Sequence, residues 1–288
     1  MNKIILATLA ALSLVSTVQA QAQTPAPGLF GVSGLSANAG AVSDYRFRGI
    51  SQTFGKPAAQ FGVDYAHSSG LYVGNWNSNI NEGAGYPSSH WETDFYGGYK
   101  TTLGDIGLDV GAIYYGYPSS SSSSTRYQIT NPKTGERYSG TVKNTEVYIG
   151  ASWQWLSAKY FYSTDAYFSM PGTRGTTYLD ISANFDLGDG WGINGHVGQL
   201  TTKGINSATI NTNYNDFKFG VTKDINGWVF GAAAVWTTAK ADNCTSANYA
   251  AGTSGPYCYS NTLAPNQTRY EVIDSGKSSY VLSVNRTF

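Results

Sequence analysis

The run Thr177-Tyr178-Leu179-Asp180-Ile181-Ser182-Ala183-Asn184-Phe185-Asp186-Leu187 decides the fold. Thr177, Leu179, Ile181, Ala183, Phe185 and Leu187 fall on one side of an extended chain, and Tyr178, Asp180, Ser182, Asn184 and Asp186 on the other. A period of two belongs to a β-strand with one oily and one wet face. The pattern returns at Thr145, Val147, Ile149, Ala151 and Trp153 against Glu146, Tyr148, Gly150, Ser152 and Gln154. It returns again at Ile106, Leu108, Val110, Ala112 and Tyr114 against Gly107, Asp109, Gly111, Ile113 and Tyr115.

Extended along the chain, the alternation predicts twelve strands: 34–48, 58–66, 70–78, 91–101, 105–116, 144–155, 157–167, 176–187, 191–201, 213–223, 226–238 and 277–288. Tight turns follow the even-numbered strands, as at His67-Ser68-Ser69-Gly70 and Gly188-Asp189-Gly190, and longer polar loops follow the odd-numbered ones. One of these loops carries Ser119 to Ser124, a solvated tract, and the last, 238–276, carries both cysteines. Short turns alternating with long loops are expected of an all-β, transmembrane, antiparallel up-and-down barrel with one rim in the periplasm. An even strand count returns both termini to that rim.

Composition agrees. Of 288 residues, 41% are hydrophobic and only 12% charged, which excludes simple disorder, and 34 Gly with 22 Tyr argue against helical bundles and multi-span helical proteins. Lys plus Arg (18) equals Asp plus Glu (18), so the basic excess of a nucleic-acid binder is missing. The apolar stretch Ile4 to Val15 after Lys3, ending at Val18-Gln19-Ala20, reads as an export signal over 1–20, followed by a Pro-containing leader over 21–33 and the barrel over 34–288. Export brings Cys244 and Cys258 to an oxidising compartment, where they are expected to form a disulfide.

A soluble barrel and a barrel in lipid share the same alternation but point it in opposite directions. Aromatic placement favours lipid. Trp228 and Trp236 share a face at the two ends of a strand, with Phe230, Ala232 and Ala234 between, a span approaching the apolar band of an outer membrane, about 25 Å. Trp91, Trp153 and Trp191 also stand at strand ends, as a headgroup girdle requires. In the last strand Tyr280, Leu282, Val284 and Phe288 share a face, similar to the terminal signature read by outer-membrane assembly machinery. Arg286 departs from that signature, and its long side chain is expected to snorkel.

The same register sends Tyr45 and Phe47 to the lipid and Asp44, Arg46, Arg48, Asp64, Glu92, Asp94, Lys100, Glu146, Asp180, His196 and Lys218 into the lumen. Arg46 and Arg48 at the outer end of one strand face Glu92, Asp94 and Glu146 at the outer ends of others, and a cross-lumen cluster is expected. Such charges either filter solutes by a transverse field or plug a narrow barrel by pairing. Catalysis finds little support. His67 falls in a turn, His90 in a loop and His196 on a lumenal face, and no Gly-x-Ser-x-Gly elbow occurs. No cofactor and no metal site is expected.

The stretch Ser43-Asp44-Tyr45-Arg46-Phe47-Arg48-Gly49-Ile50-Ser51-Gln52-Thr53 resembles the amino-terminal signature of the TorF-like family of outer-membrane porins. Pro57-Ala58, Gly62-Val63-Asp64-Tyr65, Ser69-Gly70-Leu71-Tyr72-Val73-Gly74-Asn75-Trp76 and Glu92-Thr93-Asp94-Phe95-Tyr96-Gly97-Gly98-Tyr99 follow in that family's order. The resemblance implies an outer-membrane barrel. The expected function is a passive channel for small hydrophilic solutes or ions, with a non-conducting surface barrel as the alternative and a membrane-embedded hydrolase behind both. The expected partners are outer-membrane lipids and lipopolysaccharide, the assembly machinery through Phe288, and the solutes themselves. Nucleic acid is excluded, and a monomer is expected.

Overall fold

In the computed structural model, which describes residues 28–86, 88–120, 129–131, 133–261 and 271–288, twelve antiparallel strands close into one barrel. They are β1 (Leu35–Val42), β2 (Ala58–Ala66), β3 (Leu71–Asn79), β4 (Trp91–Leu103), β5 (Ile106–Gly116), β6 (Lys143–Trp153), β7 (Leu156–Ser163), β8 (Thr177–Gly188), β9 (Trp191–Thr201), β10 (Tyr214–Ile225), β11 (Trp228–Thr237) and β12 (Ser279–Thr287). Each pairs with its neighbours in sequence, and β12 closes on β1 with Thr287 opposite Asn38 and Ser283 opposite Val42. The expected signal and most of the leader lie outside the described residues, as do Ser121 to Ser124 of the serine tract.

The tight turns have a local cause. In Asp189-Gly190 and Asn226-Gly227 the first residue sits at φ 50 and 54 and the glycine at φ 77 and 82. Two successive left-handed residues make the turn whose twist matches that of the flanking strands.

Side-chain direction inverts the arrangement of a soluble barrel. Phe95, Ile149 and Leu282 are 55%, 60% and 62% exposed, whereas Asp94 and Glu146, one residue away on the same strands as Phe95 and Val147, are 0% and 1% exposed. Oily side chains therefore clothe the exterior and ionisable ones are enclosed, the arrangement that lipid demands. Trp153, Trp191, Trp228 and Trp236 are exposed at strand ends, and Trp91 is half-buried against Phe61 at 5.6 Å. Arg286 lies over the Trp228 ring at 5.1 Å and the Phe288 ring at 5.4 Å, so this departure from the terminal signature packs as a cation on the aromatic belt.

Two strand ends correct the expectation. The seventh strand stops at Ser163, where a short turn over Tyr167–Ser169 begins the next loop. The first stops at Val42, six residues short of the expected 48. Ser43 makes the last contacts with β12, its N–H donating to Leu282 O at 2.9 Å and its Oγ accepting from Leu282 N at 2.9 Å. The chain then leaves the wall.

Candidate functional site: a hairpin seated in the lumen

The segment between β1 and β2 is an excursion, because Val42 at the end of β1 pairs directly with Ala58 at the start of β2. Within it Arg46 pairs with Ser51 and Phe47 with Ile50, leaving Arg48 and Gly49 as a two-residue turn at φ 50 and φ 78. Asp44 ties the arms together, accepting from Arg46 Nε at 2.5 Å, Ser51 Oγ at 2.6 Å and Thr53 Oγ1 at 3.1 Å. Glycine is required at 49, since a Cβ there would stand 2.5 Å from Thr237 Cγ2 and 2.7 Å from Asp216 Cβ.

The hairpin tip crosses the barrel. Arg48 donates through Nη1 to Glu146 Oε1 at 3.1 Å and through Nη2 to Oε2 at 2.6 Å. Glu146 belongs to β6, five strands from β1 by one route and seven by the other. The guanidinium also donates to Tyr167 Oη at 3.2 Å and lies 4.2 Å from the Tyr178 ring centroid and 5.3 Å from that of Phe161. Burial works against the charge of Arg48, but the Glu146 carboxylate outweighs it and holds the guanidinium ionised. Serine and tyrosine hydroxyls complete the acceptor, with Ser163 Oγ at 3.2 Å and Tyr115 Oη at 3.3 Å from Glu146.

Aromatic rings fill the space beside the hairpin. Tyr45 packs edge-on to Trp76 at 5.3 Å, and Phe47 to Tyr115 at 5.5 Å and Phe168 at 5.6 Å. Tyr45 and Phe47, expected to face lipid, are thus 1% and 6% exposed inside the lumen. The reason is that a hairpin arm and a wall strand share the same period, so alternation cannot tell them apart. On its outer side the hairpin is clasped by the loop between β11 and β12. Ser275 O accepts from Ser51 N at 2.9 Å and from Arg46 Nη1 at 3.2 Å, and Lys277 O accepts from Arg46 Nη1 at 3.0 Å. The Cys244–Cys258 disulfide closes part of that loop.

The expected cross-lumen cluster is only partly assembled. Arg48 meets Glu146, whereas Arg46 pairs within its own hairpin with Asp44. Glu92 and Asp94 have no ion pair among the described residues; Glu92 Oε1 accepts from Tyr117 Oη at 2.6 Å, while both Asp94 oxygens and Glu92 Oε2 lack a donor there. On one side of the lumen, Asp64 accepts from Tyr96 Oη, Lys100 lies 4.6 Å from the Tyr72 ring centroid, and Asp109 accepts from Tyr72 Oη at 2.7 Å and Lys159 Nζ at 2.9 Å. On another, His196 stands between Asp216 Oδ2 at 2.8 Å and Asp180 Oδ2 at 3.3 Å, with Tyr178 Oη donating to Asp216 at 2.9 Å. Lys218 is buried directly opposite His196 in the ladder. His67 is an exposed turn residue bonded to Ser69, and His90 is exposed in a loop.

Sequence reasoning missed Asp109, Lys159 and Asp216 as site residues, although all three lie on the wet parity of their strands. It also missed the tyrosines, for a different reason: Tyr occurs on both faces, so parity carries no weight for it. Four lumenal tyrosines lie across a glycine of another strand. A Cβ on Gly74 would meet the Tyr96 ring at 2.4 Å, on Gly98 Tyr72 Oη at 2.6 Å, on Gly111 Tyr148 Oη at 2.5 Å, and on Gly198 Tyr178 Oη at 2.1 Å.

No curated protein matches the chain. Among solved structures it is similar to the KdgM porin, with a TM-score of 0.47 and 8% identity over 88% of this chain and 99% of that one. It is also similar to the NanC porin, with a TM-score of 0.44 and 8% identity over 88% of this chain and 98% of that one. A family model matches residues 30–288; its description, a bacterial protein of unknown function, does not carry the TorF-like name. Spanning the whole barrel, that match makes the chain a member of the Gcw_chp family.

Proposed function

We propose that the protein is an outer-membrane channel for small hydrophilic solutes or ions, shut in this conformation by the hairpin between β1 and β2. The observation that carries the reading is the pairing of Val42 with Ala58. The barrel wall is complete without the hairpin, so the hairpin is a tethered segment outside the ladder, held on the far wall by the Arg48–Glu146 pair and by the packing of Phe47 on Tyr115. Such a segment can leave without breaking a strand ladder. The oily exterior, the Trp girdle, Phe288 and the TorF-like resemblance of residues 43–99 support an outer-membrane site with both termini in the periplasm, surrounded by lipid and lipopolysaccharide and assembled through Phe288 as a monomer. The mechanism is permeation and uses no covalent chemistry.

The test is planar-bilayer recording of the wild type and of a variant in which residues 44–56 are replaced by a short Gly-Ser turn. Wild-type protein should open rarely and the variant should conduct steadily. A folded variant that passes no current overturns the channel.

A second reading, a surface barrel that binds a partner, is favoured by the disulfide-pinned loop laid over the mouth, where Tyr257 Oη donates to Thr212 O. That reading gains if the shortened variant is folded and silent.

A further inference from the structure

We propose that a cavity beside the hairpin binds a small anion at the Lys218 ammonium, and that anions are therefore the solute class of the channel. The inference rests on the channel reading above. The cavity measures about 30 Å³ and is bordered by Asp44, Tyr45 and Arg46 of the hairpin and by Gln60, Asn194 and Lys218 of the wall. That is room for about two particles of water size.

Lys218 is 9% exposed, and among the described residues nothing forms a hydrogen bond or ion pair with its ammonium. Asp180, the carboxylate whose field reaches it, is held by His196 at 3.3 Å and by Ser182 Oγ at 2.7 Å. Asp44, at the cavity's edge, is held by Arg46 at 2.5 Å. The hairpin pair cancels, and Asp180 and Asp216 share the single ring of His196, which leaves a negative charge near Lys218; no acceptor reaches the ammonium itself, a costly arrangement for an enclosed donor unless an occupant of the cavity supplies one. Two further groups in the cavity lack partners: Gln60 Oε1 and Asn194 Oδ1 are buried and accept no hydrogen bond. An anion brings hydration water, whose hydrogens suit these two oxygens while the anion itself meets the ammonium. A cation would meet the Lys218 ammonium in the same space. The walls present Gly220, Gly231 and Ala233, which leave the space open.

Bromide is the probe. Full-chain protein is crystallised with bromide, and anomalous scattering is measured for the wild type, Lys218→Met and Lys218→Arg. In parallel, chloride-to-potassium permeability ratios are recorded in bilayers for each, with and without the hairpin. A bromide peak within hydrogen-bond reach of Lys218 Nζ is expected, lost in Lys218→Met and kept in Lys218→Arg. The permeability ratio should fall about fivefold in Lys218→Met, the factor for one unit charge at about 4 Å in water. No bromide at Lys218, or a peak that survives Lys218→Met, overturns the site. Conductance whose ratio ignores Lys218→Met overturns anion selection and leaves the channel standing. Bromide bound in a barrel that never conducts overturns the channel and leaves the site standing.

Discussion

The two halves of the lumen are built on opposite rules. From β3 to β8 the inward residues include Tyr72, Trp76, Tyr96, Tyr115, Tyr148, Phe161 and Tyr178, each ring laid against its neighbours or across a glycine, with Asp109–Lys159 and Arg48–Glu146 paired between them and Glu92 and Asp94 enclosed among the rings without an ion pair among the described residues. From β9 round to β2 the inward positions below the rim are mostly small, among them Gly192, Gly220, Gly231, Ala233, Ser283, Gly40 and Gly62, and there the enclosed polar atoms of Gln60, Asn194 and Lys218 face a cavity. The hairpin fits the first half as a packed core and the second only as a partial cover. The barrel is therefore not uniformly plugged. One wall behaves like the interior of a folded domain, where every added atom is felt, and the other like a lined passage.

The strongest way to break this contrast is Glu146→Gln. It leaves the Arg48 guanidinium enclosed without a carboxylate, at about 3–5 kcal/mol against the seated hairpin. Hydrogen exchange at the amides of residues 45–52 should accelerate accordingly; protection equal to wild type would show that the tyrosine wall does not hold the plug. Gly49→Ala forces a Cβ at φ 78 against Thr237 and Asp216, where the tip meets β10 and β11. The strain is about 2 kcal/mol, read by the same exchange experiment. Gly111→Ala probes the aromatic wall itself, placing a Cβ 2.5 Å from Tyr148 Oη and 2.6 Å from Gly97 O. Overpacking of this kind costs about 1–3 kcal/mol, and the denaturation midpoint of the purified barrel should fall. The smallest effect is expected at Ala233→Ser on the opposite wall, within about 0.5 kcal/mol, because the hydroxyl enters the cavity. A midpoint as low as that of Gly111→Ala would erase the distinction between the walls.

Twelve strands, their order and their faces were legible because a period of two with Gly-rich turns needs no long-range information. Ile106 to Tyr114 and Thr177 to Leu187 carry their parity in the chain itself. The candidate site was legible only in part. Arg48 and Glu146 were marked as facing charges, yet the partner of Arg46 is its own neighbour Asp44, and Glu92 and Asp94 join no ion pair among the described residues. Residues 43–51 continue the alternation of β1 without a turn signal beyond Arg48-Gly49, so nothing local marks the departure at Val42.

What the amino-acid order determined by itself is therefore the wall: which side chains meet lipid, which meet the lumen, and where the chain turns back, all set by backbone geometry over a few residues. The content of the lumen is set by contacts between distant parts of the chain. Whether a charged hairpin stays in the wall or folds across the barrel depends on Glu146, Tyr178 and Ser275, which lie roughly a hundred to more than two hundred residues away in the chain and come within reach only when the barrel closes.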